Sequence, residues 1–206
     1  MITVIDYNVG NVKSVCKAFE YIGYEVTLSK DPKTISESTG LVLPGVAAFG
    51  YARNELGATA EIVKKEALSG KPLLGICVGH QLLFDESCEL GSHEGLGLIK
   101  GKVIAIPPGR VIPHMGWNEV ELPESMDLFA GLPKKKHFYF AHSFYAQVCD
   151  PEAKITYCDY DGVKLTASVQ KKNIFGVQFH PEKSSNFGLA ILKNFVEICE
   201  RLDDAC

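Results

Sequence analysis

Residues 71–84 read Lys-Pro-Leu-Leu-Gly-Ile-Cys-Val-Gly-His-Gln-Leu-Leu-Phe, and this stretch decides how the rest of the chain can be organised. Leu73–Ile76 is short and wholly apolar, which is typical of a strand covered on both faces in a parallel sheet. A turn around Cys77 follows, and then comes the apolar, helix-like run Leu82–Phe84. This order of strand, tight turn and helix predicts an α/β protein with Cys77 presented at the end of a strand.

The Gly-x-Cys-x-Gly turn has the form of a nucleophile elbow, in which a strained turn exposes the central side chain. Gly75 and Gly79 fit this reading because neighbouring backbone comes too close for side chains. The N-terminus of the next helix would favour a thiolate, and the N–H of Val78 would point towards a developing oxyanion. The alternative is a buried cysteine before an ordinary helix, but the paired glycines favour the nucleophile.

Strands and helices alternate on the amino-terminal side of the elbow. Apolar runs and helical spacing predict strands at Ile2–Asp6, Val26–Ser29 and Gly40–Leu43, with helices at Val12–Ile22 and Asn54–Ser69. This alternation predicts a doubly wound parallel sheet with flanking helices.

The carboxyl-terminal half changes character, because its strands are joined by connections too short for crossover helices. Antiparallel pairing is therefore expected, with Asp161-Gly162 as a hairpin turn. A final helix from about Ser184 closes the chain, and no repeat or linker divides it, which predicts a single domain over residues 1–206. The predicted strands are Gly101–Ile106, Trp117–Leu122, Lys136–Phe140, Ser143–Val148, Lys154–Asp159, Lys164–Gln170 and Ile174–Gln178.

The composition is that of an ordinary globular protein and excludes several classes of function. Apolar residues make up 46% and charged residues 22% of the chain, and the formal net charge is −4, so nothing favours binding to nucleic acid or an anionic membrane. No apolar run is long enough to span a bilayer, and the first residues have neither a basic region nor a cleavage site, so we expect no signal peptide. Seven cysteines without a framework suggest reduced thiols in the cytoplasm. No zinc spacing or phosphate loop is present, so we expect no metal and no cofactor.

A candidate base follows the last predicted strand, in His180-Pro181-Glu182. In extended backbone, side chains two residues apart leave on the same side, and the proline favours extension. Glu182 can therefore orient His180 to act on Cys77, as in other nucleophile, base and orienter sets. His114 and His142 could be catalytic on composition alone, but neither has an adjacent carboxylate.

The turn Pro44-Gly45-Val46 ends a strand that is expected to lie beside the elbow strand. Ligands of parallel α/β sheets bind at the carboxyl ends of strands. A Pro-Gly turn at this edge can present backbone N–H groups to an oxyanion or to a substrate carboxylate.

These motifs together resemble those of class I, triad-type glutamine amidotransferases, in the elbow with Gln81, the Pro-Gly-Val turn and His-Pro-Glu-Lys-Ser. The narrower resemblance is to the glutaminase subunits of imidazole glycerol phosphate synthase, and it runs from residue 2 to about 196. It is carried by Asp6-Tyr7-x-x-Gly10-Asn11, Gly95–Leu98, Pro113–Asn118, Tyr139-Phe140-x-His142-Ser143 and Gln178–Ser184.

The resemblance implies a flavodoxin-like class I amidotransferase fold, with a mostly parallel sheet, flanking helices and added antiparallel strands. It also implies hydrolysis of glutamine through a cysteinyl thioester. Ammonia would pass to a cyclase subunit, a (β/α)₈ barrel, in a heterodimer that serves histidine biosynthesis. The expected catalytic residues are Cys77, His180 and Glu182, and the expected oxyanion and glutamine-binding residues are Gly45, Val46, Val78, Gln81, His142 and Ser143.

Two positions depart from the pattern of that family. Ala47 stands where glycine is usual, and His80 stands where methionine is usual. The runner-up is therefore a paralogous amidotransferase that supplies ammonia for surface-sugar biosynthesis. A cysteine hydrolase, a chaperone-like protein or a non-catalytic regulatory module on a related fold are the alternatives from other classes.

A partner would dock near Cys77, and four residues are candidates for its contact surface. Asn11 follows the first strand and Lys183 follows Glu182, so both should lie at the carboxyl edge of the sheet. Trp117 is the single tryptophan and suits an interface anchor, although a core position is the alternative. Tyr139 completes the set.

Overall fold

The amino-terminal half folds as the alternating pattern predicts. The computed structural model describes residues 1–203, and the last three residues of the predicted domain 1–206 lie outside the described part. The elements are β1 (Ile2–Ile5), α1 (Val12–Tyr21), β2 (Val26–Ser29), α2 (Pro32–Glu37), β3 (Gly40–Leu43), α3 (Phe49–Leu56), α4 (Thr59–Leu68) and β4 (Leu73–Ile76).

The carboxyl-terminal half is dominated by strands, as expected from its short connections. After the single helical turn α5 (Val78–Gln81), the elements are β5 (Glu86–Ser87), β6 (His93–Glu94), β7 (Gly101–Ala105), β8 (His114–Glu121), β9 (Lys135–His142), β10 (Phe144–Val148), β11 (Lys154–Tyr160), β12 (Val163–Lys171), β13 (Ile174–Val177) and α6 (Ser185–Asp203). Short 3₁₀ turns occupy Asp127–Phe129 and Pro181–Lys183.

A nine-stranded sheet in the order β2-β1-β3-β4-β13-β12-β11-β8-β9 organises the molecule. The strands from β2 to β13 run parallel, and the remaining strands join them antiparallel. A smaller sheet, in the order β10-β7-β5-β6, packs beside the main one. The central pairing of β3, β4 and β13 brings the ends of three parallel strands together, and this edge carries the candidate site.

Apolar side chains of the central parallel strands β1, β3, β4 and β13 are buried on both faces. One core packs α1 and α6 against Val4, Leu74 and Ile76, and the other packs α2, α3 and α4 against Ile5 and Leu73. Side chains alternate between faces along each strand, so a strand covered by helices on both sides must be apolar throughout. The α/β prediction is therefore confirmed.

The sequence prediction was wrong in two helices. The predicted helix Asn54–Ser69 is two helices, α3 and α4, separated at Gly57, whose φ of +47° ends α3. The short helix α2 was not predicted at all. It is started by Asp31, whose carboxylate accepts a hydrogen bond from the Thr34 N–H, and by Pro32 in the first turn.

Candidate active site

Cys77 lies at the tip of a strained turn between β4 and α5. Its φ of +54° is in a region that side-chain-bearing residues seldom adopt, and its N–H donates to the Val177 carbonyl at 2.8 Å. A Cβ at Gly79 would overlap the carbonyl oxygen of Leu43, and one at Gly75 would collide with the backbone of Gly79. Both glycines are therefore required for the elbow to close, as predicted.

The helix after Cys77 is shorter than the sequence suggested. It is one turn, α5, and Leu82–Phe84 turns away from it. A single turn has a small dipole, because the macrodipole sums over aligned peptide units. The predicted helical support for a thiolate is therefore weak.

His180 and Glu182 form a buried hydrogen-bonded pair. Nδ1 of His180 lies 2.9 Å from Oε1 of Glu182, and both side chains are only 2% exposed. The predicted extension through the proline is wrong for the second half of the motif: His180 is extended, but Pro181–Lys183 forms a 3₁₀ turn. That turn brings Glu182 back to His180 and leaves the pairing intact.

The imidazole of His180 is electrostatically coupled to the nucleophile. Burial alone would lower the pKa of His180, but hydrogen bonding to Cys77 and Glu182 and the charges of both raise it to about 10. The Nε2 atom is buried and has no hydrogen bond of normal geometry to residues 1–203. A pKa near that value means that His180 carries a proton at neutral pH, and Nδ1 is the nitrogen that Glu182 engages.

Two glutamine side chains link the Cys77 turn to the Phe144 backbone by hydrogen bonds. Nε2 of Gln178 lies 3.7 Å from Sγ of Cys77, and the Gln178 oxygen accepts a hydrogen bond from Gln81 at 3.0 Å. Gln81 also donates to the Phe144 carbonyl at 2.9 Å. The sequence pointed to Gln81 but missed Gln178, although Gln178 immediately precedes the Phe179-His180 pair.

The backbone N–H that was predicted to bind an oxyanion already has a hydrogen-bond partner. The N–H of Val78 donates to the Gly45 carbonyl at 3.3 Å, so the expectation that this N–H points freely towards an oxyanion is wrong here. The Pro44–Val46 turn does lie beside the elbow, as expected from the pairing of β3 with β4.

His142 is oriented by a fixed line of hydrogen bonds. Its Nδ1 lies 2.8 Å from the Phe144 carbonyl, which only accepts, so this nitrogen carries the proton. Burial lowers the pKa of His142 to about 3, so its Nε2 is an acceptor and receives the Nδ1–H of His114 at 2.9 Å. Burial likewise lowers the pKa of His114 to about 4, and its Nε2 accepts from Asn118 at 3.3 Å. Both histidines are neutral scaffold groups, and neither lies beside a carboxylate as His180 does.

A cleft of about 280 Å³ opens above Cys77. Six residues predicted from the sequence line it, together with the pocket residue Glu89, which the sequence did not single out. A carboxylate oxygen of Glu89 accepts a hydrogen bond from the Phe49 N–H at 2.7 Å, at the start of α3. The predicted residues are Val46, Cys77, Val78, Gln81, His142 and Ser143.

An aromatic and basic surface flanks the cleft. Trp117 is 54% exposed, which rules out a core position, and its ring packs edge-to-face with Tyr139 at 6.2 Å. The ammonium of Lys183 lies 5.9 Å from the Tyr139 ring. Asn11 is exposed at the start of α1, and α1 contacts the 181–183 turn. The Tyr139 ring lies 6.5 Å from the His180 ring, so Trp117, Tyr139 and Lys183 form one surface beside His180.

Within residues 1–203, no group of three or more His, Cys, Asp or Glu side chains could hold a metal ion. The same part of the chain has no helix long and apolar enough to cross a membrane.

The fold and the site agree with one family of enzymes. A sequence model described as "Glutamine amidotransferase class-I" matches residues 3–199, and the chain therefore belongs to the class-I glutamine amidotransferases.

Sequence comparison with individual proteins places the chain within one group of this class. The chain is 45% identical over 198 residues to the imidazole glycerol phosphate synthase subunit HisH of Methanothermobacter thermautotrophicus, covering 96% of this chain and 98% of the relative. It is 48% identical over 204 residues to the subunit of that name from Lacticaseibacillus casei, covering 97% of each. Within the class, the chain groups with the HisH subunits.

Solved structures agree in fold. A structure described as glutamine amidotransferase has a TM-score of 0.76 at 18% identity, covering 97% of this chain and all of the other. PurLQS from Thermotoga maritima contains a chain with a TM-score of 0.75 at 22% identity, covering 96% and 97%.

Proposed function

We propose that this chain is the glutaminase subunit of an imidazole glycerol phosphate synthase and that Cys77, His180 and Glu182 are its catalytic triad. One observation carries the proposal: the strained turn at Cys77 and the buried pair of His180 and Glu182 follow two adjacent parallel strands, β4 and β13, beside a cleft. The cleft is near the lower end of small-molecule site volumes, roughly 300–1,000 Å³, which suits a single amino acid.

The reaction begins with the ion pair of thiolate and imidazolium. The sulfur of Cys77 attacks the side-chain amide carbon of glutamine, and the carbonyl oxygen becomes an oxyanion. Collapse of this intermediate breaks the carbon–nitrogen bond, and His180 gives its Nε2 proton to the leaving ammonia. The product of this half-reaction is a glutamyl thioester on Cys77.

Neutral His180 then acts as the base. It takes a proton from water, which attacks the thioester carbon and forms a second oxyanion. Release of the sulfur yields glutamate and restores the ion pair. Glu182 stabilises the charged imidazole throughout, because it stays hydrogen-bonded to Nδ1.

Glu89 is placed to recognise the amino-acid end of the substrate. It is the only carboxylate that lines the cleft in the described part of the chain. An α-ammonium group requires an anionic or carbonyl partner, so Glu89 would bind that group while the backbone near Ser143 binds the α-carboxylate. Gln81 would hold the intervening wall through its bond to Phe144.

A closed oxyanion hole favours control by a partner. Preorganised N–H donors at the oxyanion are usually a large contribution to rate, and here the Val78 donor is bonded to Gly45. Rotation of the Gly45–Val46 peptide would free Val78 and present a second donor. A synthase docked over the cleft would couple this rotation to its own substrate and prevent wasteful hydrolysis.

The partner would be a (β/α)₈ cyclase subunit in a heterodimer. Trp117 and Tyr139 are residue types that are enriched in interface hot spots, and Lys183 lies against the Tyr139 ring. They adjoin His180, so a partner on this surface would cover the exit from the cleft. Ammonia would then pass directly into the partner and support histidine biosynthesis.

The proposal is tested by product formation with a cyclase subunit of a HisH-containing synthase. The wild-type complex should form imidazole glycerol phosphate from glutamine, and free glutamine hydrolysis should rise when the cyclase binds its nucleotide ligand. The complex of Cys77→Ala should use ammonium salts but not glutamine. Synthesis from glutamine by that variant, or no synthesis by the wild-type complex, would contradict the proposal.

A further inference from the structure

The loop between β1 and α1 packs against the turn that carries the oxyanion donor. The side chain of Tyr7 is 1% exposed, and its hydroxyl donates a hydrogen bond to the Pro44 carbonyl. Gly10 faces the same turn with a φ of +98°, and a Cβ there would lie 2.9 Å from the Val46 nitrogen. The loop and the turn are therefore in direct backbone contact at Gly10. The Tyr7 hydroxyl adds one hydrogen bond between them.

The anchor acts on the peptide immediately before the one that must rotate. Tyr7 binds the carbonyl of the Pro44–Gly45 peptide, whereas the Gly45–Val46 peptide blocks Val78. If the Gly45–Val46 peptide rotates, its N–H takes the place of its carbonyl. The N–H reaches that place only if the neighbouring peptides stay where they are. Without a fixed Pro44 carbonyl, the whole turn could shift and carry the Val46 N–H away from the oxyanion.

Gly45 is also confined by the same hydroxyl. A Cβ at Gly45 would lie 2.8 Å from the Tyr7 oxygen and 3.1 Å from Cγ1 of Val78. Tyr7 therefore defines one wall of the space in which the Gly45–Val46 peptide turns, and the elbow defines the other.

We infer that Tyr7 is a positioning residue of the glutaminase reaction, because its hydroxyl fixes the Pro44 carbonyl as the pivot on which the Val46 N–H reaches the oxyanion. This inference rests on the proposed function and assigns a role to a residue outside the triad. Burial, and then the charge of Cys77, raise the pKa of the Tyr7 hydroxyl, so it remains a neutral hydrogen-bond donor.

The test is Tyr7→Phe, which removes the hydroxyl and keeps the ring that fills the core. Turnover of glutamine is measured in the complex with the cyclase subunit and its nucleotide ligand, and in the isolated chain. Reaction of Cys77 with iodoacetamide, followed by peptide mass spectrometry, reports the nucleophile without forming an oxyanion. Tyr24→Phe is the matched control, since Tyr24 packs beside Ile2 at the opposite end of β1.

The inference predicts that Tyr7→Phe lowers kcat about tenfold in the more active of the two states, because a misplaced donor loses part of its stabilisation of the oxyanion. KM for glutamine and the alkylation rate of Cys77 should stay within about twofold of wild type, since neither depends on the oxyanion. The control should match wild type in all three.

An unchanged or increased kcat would overturn the role of Tyr7. A loss of kcat accompanied by an equal loss of alkylation would also overturn it, because it would show general damage to the fold. If the wild-type chain shows no response to the cyclase, the partner proposal fails, and kcat of the isolated chain still decides the role of Tyr7.

Discussion

Replacement of His80 by methionine should make the protein less sensitive to acid. His80 has no exposed surface, and neither ring nitrogen has a hydrogen-bond partner within residues 1–203. Burial, with a smaller contribution from the charge of His142, lowers the pKa of His80 from its ordinary value of 6.5 to about 3. The imidazole therefore stays neutral in the folded protein across the range in which it becomes charged when unfolded.

The sign and the magnitude follow from proton linkage. Between pH 6.5 and about pH 3 the unfolded state binds a proton at His80 that the folded state does not, so stability is full above pH 6.5 and falls with falling pH. Each pH unit in this window costs about 1.4 kcal/mol. From pH 8 to pH 5 the loss from His80 is therefore about 2 kcal/mol.

Urea unfolding of the wild-type chain and of His80→Met at pH 8, 7, 6 and 5 measures this loss. Methionine is apolar and flexible enough to fill the space of the ring, and it cannot titrate. The stability difference in favour of the variant should grow by about 2 kcal/mol between pH 8 and pH 5. His137→Gln is the control, since His137 is exposed on β9. Parallel stability curves for wild type and His80→Met would refute the reasoning, because they would show that His80 is accessible to protons in the fold.

Three further predictions concern catalysis and docking. His180→Ala should lose most of the glutaminase rate, and Glu182→Gln should lose less because it only orients the imidazole; single-turnover hydrolysis checks both, and a larger loss in His114→Ala would mean that the wrong histidine was assigned. The pKa of about 10 for His180 predicts that the wild-type rate falls as pH rises through that value, because the leaving ammonia loses its proton donor; a pH–rate profile with a basic limb near pH 7 would contradict this. Trp117→Ala and Lys183→Ala should weaken stimulation by the cyclase while unstimulated hydrolysis survives, as measured by titration with the cyclase; unchanged stimulation in both would place the docking surface elsewhere.

Matched variants sharpen these tests. Lys193→Ala removes an exposed lysine on α6, where it pairs with Glu197, and should leave stimulation by the cyclase unchanged.

The ion pair of His180 also contributes to the stability of the fold, with the opposite pH dependence to His80. Because the pKa of His180 is raised, its contribution is full below pH 6.5 and is lost as pH rises through about 10.

Local signals were sufficient for the strands that build the site. Gly40–Leu43 and Leu73–Ile76 are observed with the predicted bounds, because each is a short apolar run between turn residues. The paired glycines around Cys77 predicted the elbow for a steric reason that the backbone contacts of Gly75 and Gly79 confirm.

Long-range geometry accounts for what the sequence could not predict. The strand predicted from Trp117 begins at His114 because His114 pairs with His142 on the neighbouring strand. The Val78 N–H is occupied because the turn after β3 folds over the elbow. The helix α2 buries only Ile35, so its sequence has no apolar periodicity. Asp31-Pro32 is nevertheless a typical signal for the start of a helix.

The most direct measurement is detection of the covalent intermediate. The chain, with the cyclase subunit and its nucleotide ligand, is quenched in acid during steady-state turnover of glutamine, and its peptides are analysed by mass spectrometry. We predict a glutamyl thioester on Cys77 that appears with glutamine, disappears when glutamine is exhausted and is absent from Cys77→Ala. Glutamine hydrolysis without an adduct on Cys77, or with the adduct on another cysteine, would contradict the account.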